Sequence, residues 1–172
     1  EGERAKDIML ACIRNPKLLS CSYSMTYYLF RAFEKAGVYP YSGPIWQSWR
    51  DLLAYHVTTW PEDPVTQRSE CHGWSGLPVI EFIRCSFGVR PGAPGFKSIL
   101  IAPCEFDLGD MEATICTVQG PIYARRRIVL EGMLRRAEFW YEFPRKMPVH
   151  VTLPEQDYDT VTEELHLRFD FP

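Results

Sequence analysis

Phe87-Gly88-Val89-Arg90-Pro91-Gly92-Ala93-Pro94-Gly95 is the stretch at which the chain changes character. Proline removes a backbone donor and glycine supplies turn conformations, so Val89–Gly95 cannot continue a helix and reads as a connector. Upstream of it the apolar residues recur with a helical period. Ala5, Ile8, Met9, Cys12 and Ile13 form one stripe, and Met25, Leu29, Ala32, Phe33 and Ala36 a second, with Ser22 or Ser24 as N-cap and Gly37 as the stop. Trp46, Trp49, Leu52, Leu53 and His56 form a third, entered through Pro44 at the first helical position. A fourth helix, about Ser75 to Phe87, is apolar on most sides and so packed on more than one, with Pro78 in its first turn and Gly88 at its end.

Downstream of the connector the period becomes two. Ser98–Ile101, Met111–Val118, Ile122–Leu130, Met133–Phe143 and a short segment between Pro148 and Pro154 read as strands, with turns at Gln119-Gly120-Pro121 and Glu131-Gly132. Leu165, Leu167, Phe169 and Phe171 alternate with Glu164, His166, Arg168 and Asp170, the pattern of a half-buried antiparallel strand. The expected architecture is therefore α then all-β: helices over 1–88 and an antiparallel β-sandwich over 89–172. No residue-level repeat occurs, although the helix pairs fit a helical repeat cut short.

The chain of 172 residues has a net charge of -3, which argues against nucleic acid as the main partner. It contains no apolar run of about 18 residues, so no membrane-spanning helix is implied. The charged start, Glu1-Gly2-Glu3-Arg4-Ala5-Lys6, has no signal-peptide core; any such signal is expected upstream, and the residues assign no compartment. The six cysteines lack a CxxC pair and are expected to be mostly buried thiols, and no Cys/His pair has metal-ligand spacing, so neither a metal nor a cofactor is expected. Arg125-Arg126-Arg127 and Arg135-Arg136 lie on alternating strands, where half of each run points away from the other. A solvated face paired with glutamates is expected there, not a phosphate site.

Chemistry concentrates between the third and fourth helices, in Thr58-Thr59-Trp60-Pro61-Glu62-Asp63 and Arg68-Ser69-Glu70-Cys71-His72-Gly73-Trp74-Ser75. Prolines on both sides of Glu62-Asp63 keep Glu62 off a helix. Glu62 is read either as a solvated loop carboxylate or as a general base that activates water or a hydroxyl. His72 is read either as a capping or packed residue or as a neutral imidazole that hydrogen-bonds a ligand hydroxyl; a helix N-terminus would favour the neutral form. Trp60 and Trp74 stand outside the helical stripes and are candidates for stacking on a sugar ring, whereas Trp46 and Trp49 belong to the core. A carboxylate, an imidazole and two indoles suit a carbohydrate site.

The succession Thr-Thr-Trp-Pro-Glu, Arg-Ser-Glu-Cys-His-Gly-Trp-Ser and Phe-Gly-Val-Arg-Pro-Gly-Ala-Pro-Gly-Phe-Lys-Ser-Ile-Leu-Ile-Ala-Pro resembles the C-terminal region of α-L-rhamnosidases of glycoside hydrolase family 78. The resemblance implies that 1–88 are the last helices of an (α/α)6 toroid and 89–172 a C-terminal β-sandwich. It implies that Glu62 is the general base of an inverting hydrolysis, that His72 contacts rhamnose, and that Trp74, and less directly Trp60, line the pocket. Inversion requires a partner acid about 6.5–9.5 Å from the base. Nothing in the chain matches that acid; Asp7 and Glu34 look like surface positions. The expected partners are a rhamnose-containing glycoside and the remainder of the barrel from a longer polypeptide, and the chain alone is expected to be inactive. The alternative is a non-catalytic carbohydrate-binding or interaction module, distinguished by whether the upstream reading frame continues into further toroid helices.

Overall fold

The computed structural model describes residues 2–171 except 16, 19, 20, 67, 105–108 and 133, and the side chains of 131 and 171 fall outside it as well. The chain divides into two compact units, Glu1–Ile80 and Glu81–Pro172.

In the first unit, α1 (Gly2–Arg14), α2 (Thr26–Lys35) and α3 (Gln47–Ala54) form where the stripes predict them. The end of α2 follows from Gly37, whose φ of +68° is open to glycine without strain. Gly37 N–H donates to Glu34 O and Val38 N–H donates to Phe33 O, a closure that satisfies the last carbonyls. The residue capping the start of α2 is Met25, not a serine; Ser22 acts one turn earlier, its carbonyl accepting from Thr26 N–H and its hydroxyl from Met25 N–H. Pro44 lies in a 3-10 turn, Gly43–Trp46, that leads into α3.

The core of this unit is aromatic. Phe30 and Trp46 stack with ring centroids 4.7 Å apart, Trp46 lies 5.5 Å from Trp49, and Trp49 lies 4.4 Å from Tyr23. Such pairs add about 0.5–1.5 kcal/mol each beyond the area they bury. The third stripe is narrower than its sequence suggests: Leu52 is buried, but Leu53 is 79% exposed and His56 lies beyond the helix at φ +54°. Ile8, Met25, Tyr27, Tyr28, Tyr41 and Tyr55 are exposed as well, leaving the unit rich in uncovered apolar side chains. Glu34, half-buried, pairs with Arg31 at 3.0 Å, while Asp7 is exposed.

The fourth helix is not one regular helix. A 3-10 turn, Gly73–Ser75, precedes the short α4 (Leu77–Glu81), and Phe82–Ser86 continues as a π-helix. The π-helix ends where Phe87 N–H donates to Phe82 O. Gly88 follows at φ +69°, and a Cβ built on it would stand 2.1 Å from Pro103 N, so no larger residue fits.

Among its described residues the second unit is a six-stranded mixed sheet: β1 (Val89–Pro91), β2 (Ile99–Ile101), β3 (Met111–Thr117), β4 (Gly120–Glu131), β5 (Leu134–Leu153) and β6 (Gln156–Phe171). The order is β1-β2-β5-β4-β3, with β6 along β5. Three expectations are corrected. The connector contains a strand, because Val89 to Pro91 pair antiparallel with Ile101 to Ile99. The pairing is not purely antiparallel, since Ile99–Ile101 run parallel to Val149–Val151. Third, the segments ending at Phe143 and starting at Pro148 are one strand, β5, with a register shift between Glu142 and Met147 that places Pro144 at an irregularity where a missing donor is tolerated. The expected start of β5 at Met133 lies outside the described residues, as does the outward or inward placement of the Phe171 side chain.

Alternation organises this unit's core. Ile115, Ile122, Ala124, Phe139, Tyr141, Val149, Val151 and Leu167 are buried on one face, joined by Phe87, Ile99 and Ile101. Tyr141 Oη–H donates to Phe87 O at 2.7 Å, and burial pushes this phenol well above its ordinary pKa while the Arg126 charge opposes that rise. The arginine runs split as the pleat demands, but not all onto a solvated face. Arg125 is exposed and lies 3.3 Å from Glu112, Arg136 binds Asp170 at 2.6 Å, and Arg126 is buried with its guanidinium 5.9 Å from the Phe139 ring centroid. The cysteines also depart from expectation: Cys85 is buried, whereas Cys71 and Cys116 are exposed.

Candidate functional site

The candidate residues sit on a loop that leaves α3 and returns to the Gly73–Ser75 turn. Two of its arms are tied side by side. His72 N–H donates to Trp60 O at 2.6 Å, Glu62 N–H donates to Ser69 O at 2.7 Å, and the Thr59 hydroxyl donates to Glu70 O. Between the arms, Asp63 organises the tip. One carboxylate oxygen accepts from Val65 N–H (2.9 Å) and Thr66 N–H (2.7 Å), and the other from the Thr66 hydroxyl (2.5 Å). Pro64 suits the first position of such a capped turn, because its absent N–H needs no partner there.

The loop is anchored in the aromatic core at two points. Tyr23 N–H donates to Glu62 O at 3.1 Å, and the Tyr23 hydroxyl donates to Ser48 O at 3.0 Å. Trp49 Nε1–H donates to Ser75 O at 2.9 Å, fixing the turn that carries Trp74. Tyr23 and Trp49 are themselves in ring contact, so one buried pair positions the Glu62 arm and the Trp74 turn.

Glu62 is thus held through both its N–H and its C=O, while its side chain is 27% exposed and lies 3.6 Å from Arg68 Nε. That arrangement separates it from its neighbours. Asp63 has its oxygens committed to the loop tip, and Glu70 is exposed on the far arm. Among the described residues, the Glu62 carboxylate pairs with Arg68, and backbone rungs link its arm to His72. His72 is half-buried and extended (φ -114°, ψ 90°), with its ring 6.3 Å from that of Trp74 at 78°, edge to face. It precedes a three-residue turn rather than a long helix, so the dipole argument for a neutral imidazole loses its footing. Trp74 is 79% exposed and Trp60 is 37% exposed. The Trp60 indole lies against Gly76, where an added Cβ would come within 3.3 Å of Nε1.

The sequence reading missed three residues that build this loop. Asp63 had a signal, since Asp-Pro-x-Thr is a capped-turn pattern. Tyr23 and Arg68 had none, because their contacts with Glu62 arise from tertiary placement. The hydrogen bond from the Thr66 hydroxyl, followed by that from Thr66 N–H, holds the Asp63 carboxyl below its usual range. A depressed carboxylate contributes its stabilisation above the unfolded value of about 3.9, and the contribution is lost as pH falls through the lower folded value. Asp63→Ala is therefore expected to speed hydrogen exchange severalfold at the Glu62 and His72 amides at neutral pH, whereas Asp63→Asn, which keeps an acceptor oxygen, changes it less. Wild-type exchange, corrected for its intrinsic pH dependence, approaches the Ala variant's only as the pH falls below the ordinary carboxylate range and through the lower folded value.

Residues 88–168 match the family of the bacterial α-L-rhamnosidase C-terminal domain. This chain resembles the C-terminal region of an α-L-rhamnosidase. The likeness in fold extends beyond the matched segment. The crystal structure of native α-L-rhamnosidase from Aspergillus terreus superposes with a TM-score of 0.80 over 97% of this chain, at 18% identity. Streptomyces avermitilis α-L-rhamnosidase complexed with L-rhamnose gives 0.65 over 84% at 15% identity, and the family 78 rhamnosidase of Bacillus sp. GL1 gives 0.57 over 78% at 27% identity. No curated protein sequence matches the chain. The rhamnosidase-like chain spans 21%, 17% and 15% of those three structures, so it corresponds to a small part of each.

Proposed function

We propose that this chain is the C-terminal portion of an inverting α-L-rhamnosidase-like glycoside hydrolase, in which Glu62 is the general base and His72, Trp74 and Trp60 form part of the rhamnose subsite. The observation that carries the proposal is the anchoring of Glu62: fixed by backbone bonds on both sides, partly exposed, and carried on the same tied loop as His72, Trp60 and Trp74. A base needs a fixed position and an oxygen free to take a proton, and both Asp63 oxygens are engaged by Val65 and Thr66. Trp74 offers an apolar ring face for sugar C–H groups, and His72 offers a ring nitrogen for a hydroxyl.

On this reading the helices of 1–88 are the last of an (α/α)6 toroid and 89–172 the following β-domain. The uncovered apolar side chains of the first unit, among them Tyr28, Leu53 and Tyr55, then face the remaining helices of the same polypeptide. The general acid comes from that remainder. The 172-residue chain alone is expected to release no rhamnose from an aryl α-L-rhamnopyranoside, whereas a polypeptide extended N-terminally through the rest of the barrel turns it over with inversion. Turnover by the short chain, or retention of configuration by the long one, contradicts the proposal.

A further inference from the structure

The backbone of Glu62 is held on both sides, by Ser69 O through its N–H and by Tyr23 N–H through its C=O. Those bonds leave its side-chain torsions open among several staggered rotamers. Among the described residues no hydrogen bond reaches the Glu62 carboxylate, and the cation paired with it is Arg68, whose Nε lies 3.6 Å from Oε2. Arg68 is also the sole Lys or Arg in the sequence between Arg50 and Arg84. The loop thus carries three acids, Glu62, Asp63 and Glu70, and one cation, and the pairing is selective. Asp63 is held first by the Thr66 hydroxyl and amide and then by the Val65 amide, with the Arg68 charge a lesser influence. Glu70 stands two residues along Arg68's own arm of the loop, yet the ion pair crosses to the other arm. The crossing follows from the backbone, because the rung from Glu62 N–H to Ser69 O brings the residue next to Arg68 against Glu62.

We propose that Arg68 is the positioning residue of the candidate base: its guanidinium draws one carboxylate oxygen of Glu62 to its side and so turns the other toward the water that attacks. This role rests on the reading of Glu62 as general base. At 3.6 Å the contact is longer than a hydrogen bond, and the arginine side chain is 77% exposed, so the pair contributes little to folding. Its effect falls on orientation instead. Misplacing a reacting group by about 1 Å can cost about 10²-fold in rate. A weak contact that selects one rotamer therefore matters to turnover while leaving stability almost unchanged.

The test has two parts. In the 172-residue chain, the side-chain three-bond couplings of Glu62 are expected to report one dominant rotamer. Arg68→Met is expected to average them while the Glu62 and His72 amides keep their exchange protection, and Arg68→Lys, which keeps the charge, to restore part of the preference. In the polypeptide that contains the whole barrel, Arg68→Met is expected to lower kcat on an aryl α-L-rhamnopyranoside about tenfold, with KM within about twofold, and to lower it no further in a Glu62→Gln background. A merely structural role would expose the amides, raise KM, or add its loss to that of Glu62→Gln. Couplings already averaged in the wild type, couplings unaltered in Arg68→Met, or additive losses overturn the proposal. Failure of the two readings is told apart by the single variants. Full turnover in Glu62→Gln removes the base and with it the role of Arg68, whereas a loss in Glu62→Gln with none in Arg68→Met removes the role of Arg68 alone.

Discussion

Replacing Glu62 by glutamine is expected to lower kcat on an aryl α-L-rhamnopyranoside by about 10²–10⁴-fold in the polypeptide that contains the whole barrel. Glutamine keeps the size of the side chain and the backbone bonds to Ser69 and Tyr23, so the loop should stay in place. What it loses is the capacity to take a proton from water. Because the loss falls on the chemical step, KM should change little. Azide needs no deprotonation to attack, so added azide is expected to restore part of the turnover of Glu62→Gln and none in a variant that is merely misfolded. Asp63→Asn provides the internal comparison, since that carboxylate is occupied by Val65 and Thr66. Glu62→Gln turnover within about tenfold of wild type, or an equal loss in Asp63→Asn, removes Glu62 from the base role.

Gly88→Ala is expected to be the most damaging single-methyl change in the second unit. Two costs add at this position. The left-handed conformation at φ +69° costs a non-glycine residue about 1–2 kcal/mol. In addition, the new methyl would stand 2.1 Å from Pro103 N and 2.4 Å from Ala102 C, which are backbone atoms and cannot rotate aside. Overpacking of that kind adds about 1–3 kcal/mol, so the total is about 2–5 kcal/mol, a large share of an ordinary domain's stability. Gly132→Ala separates the two terms, because Gly132 has φ +65° but nothing within 4 Å of an added Cβ. In urea titrations of the chain, Gly88→Ala should shift the midpoint about twice as far as Gly132→Ala. Equal shifts would mean that the backbone at Gly88 does not lie against Pro103.

The sequence carried the helix-to-strand change because it is written in local chemistry. Gly37 and Gly88 stop helices at positive φ, Pro44 opens one, and the period of two from Leu165 to Phe169 places alternate residues inside. Its failures have a common cause, since local rules are overridden where a long-range partner exists. Pro144 and Pro148 argue against a central strand, yet β5 runs through both by absorbing Pro144 at a register shift and pairing Pro148 with Val161. Val89–Pro91 looks like a connector until Ile99–Ile101 is there to pair with it. Leu53 fits a core stripe by spacing and is exposed, whereas Phe30, outside the expected stripe, is at the centre of the aromatic cluster. At the candidate site, the residue types and their order pointed to Glu62, His72, Trp60 and Trp74. The Tyr23–Trp49 pair that holds them has no signature, because its partners are distant in sequence.

The parallel pairing of β2 with β5 also sets an order of events during synthesis. Ile101 pairs with Val151, 50 positions later, and a parallel ladder cannot form from neighbouring chain. A ribosome adds residues at about 5–20 per second, so some 3–10 s separate the emergence of β2 from that of its partner. Through that interval the β1–β2 hairpin waits with Val89, Ile99 and Ile101 uncovered, while the aromatic cluster of the first unit, made wholly of earlier residues, can already close. Nascent chains stalled before Leu153 should therefore hold a protected Trp49 and a protease-sensitive segment around Arg90.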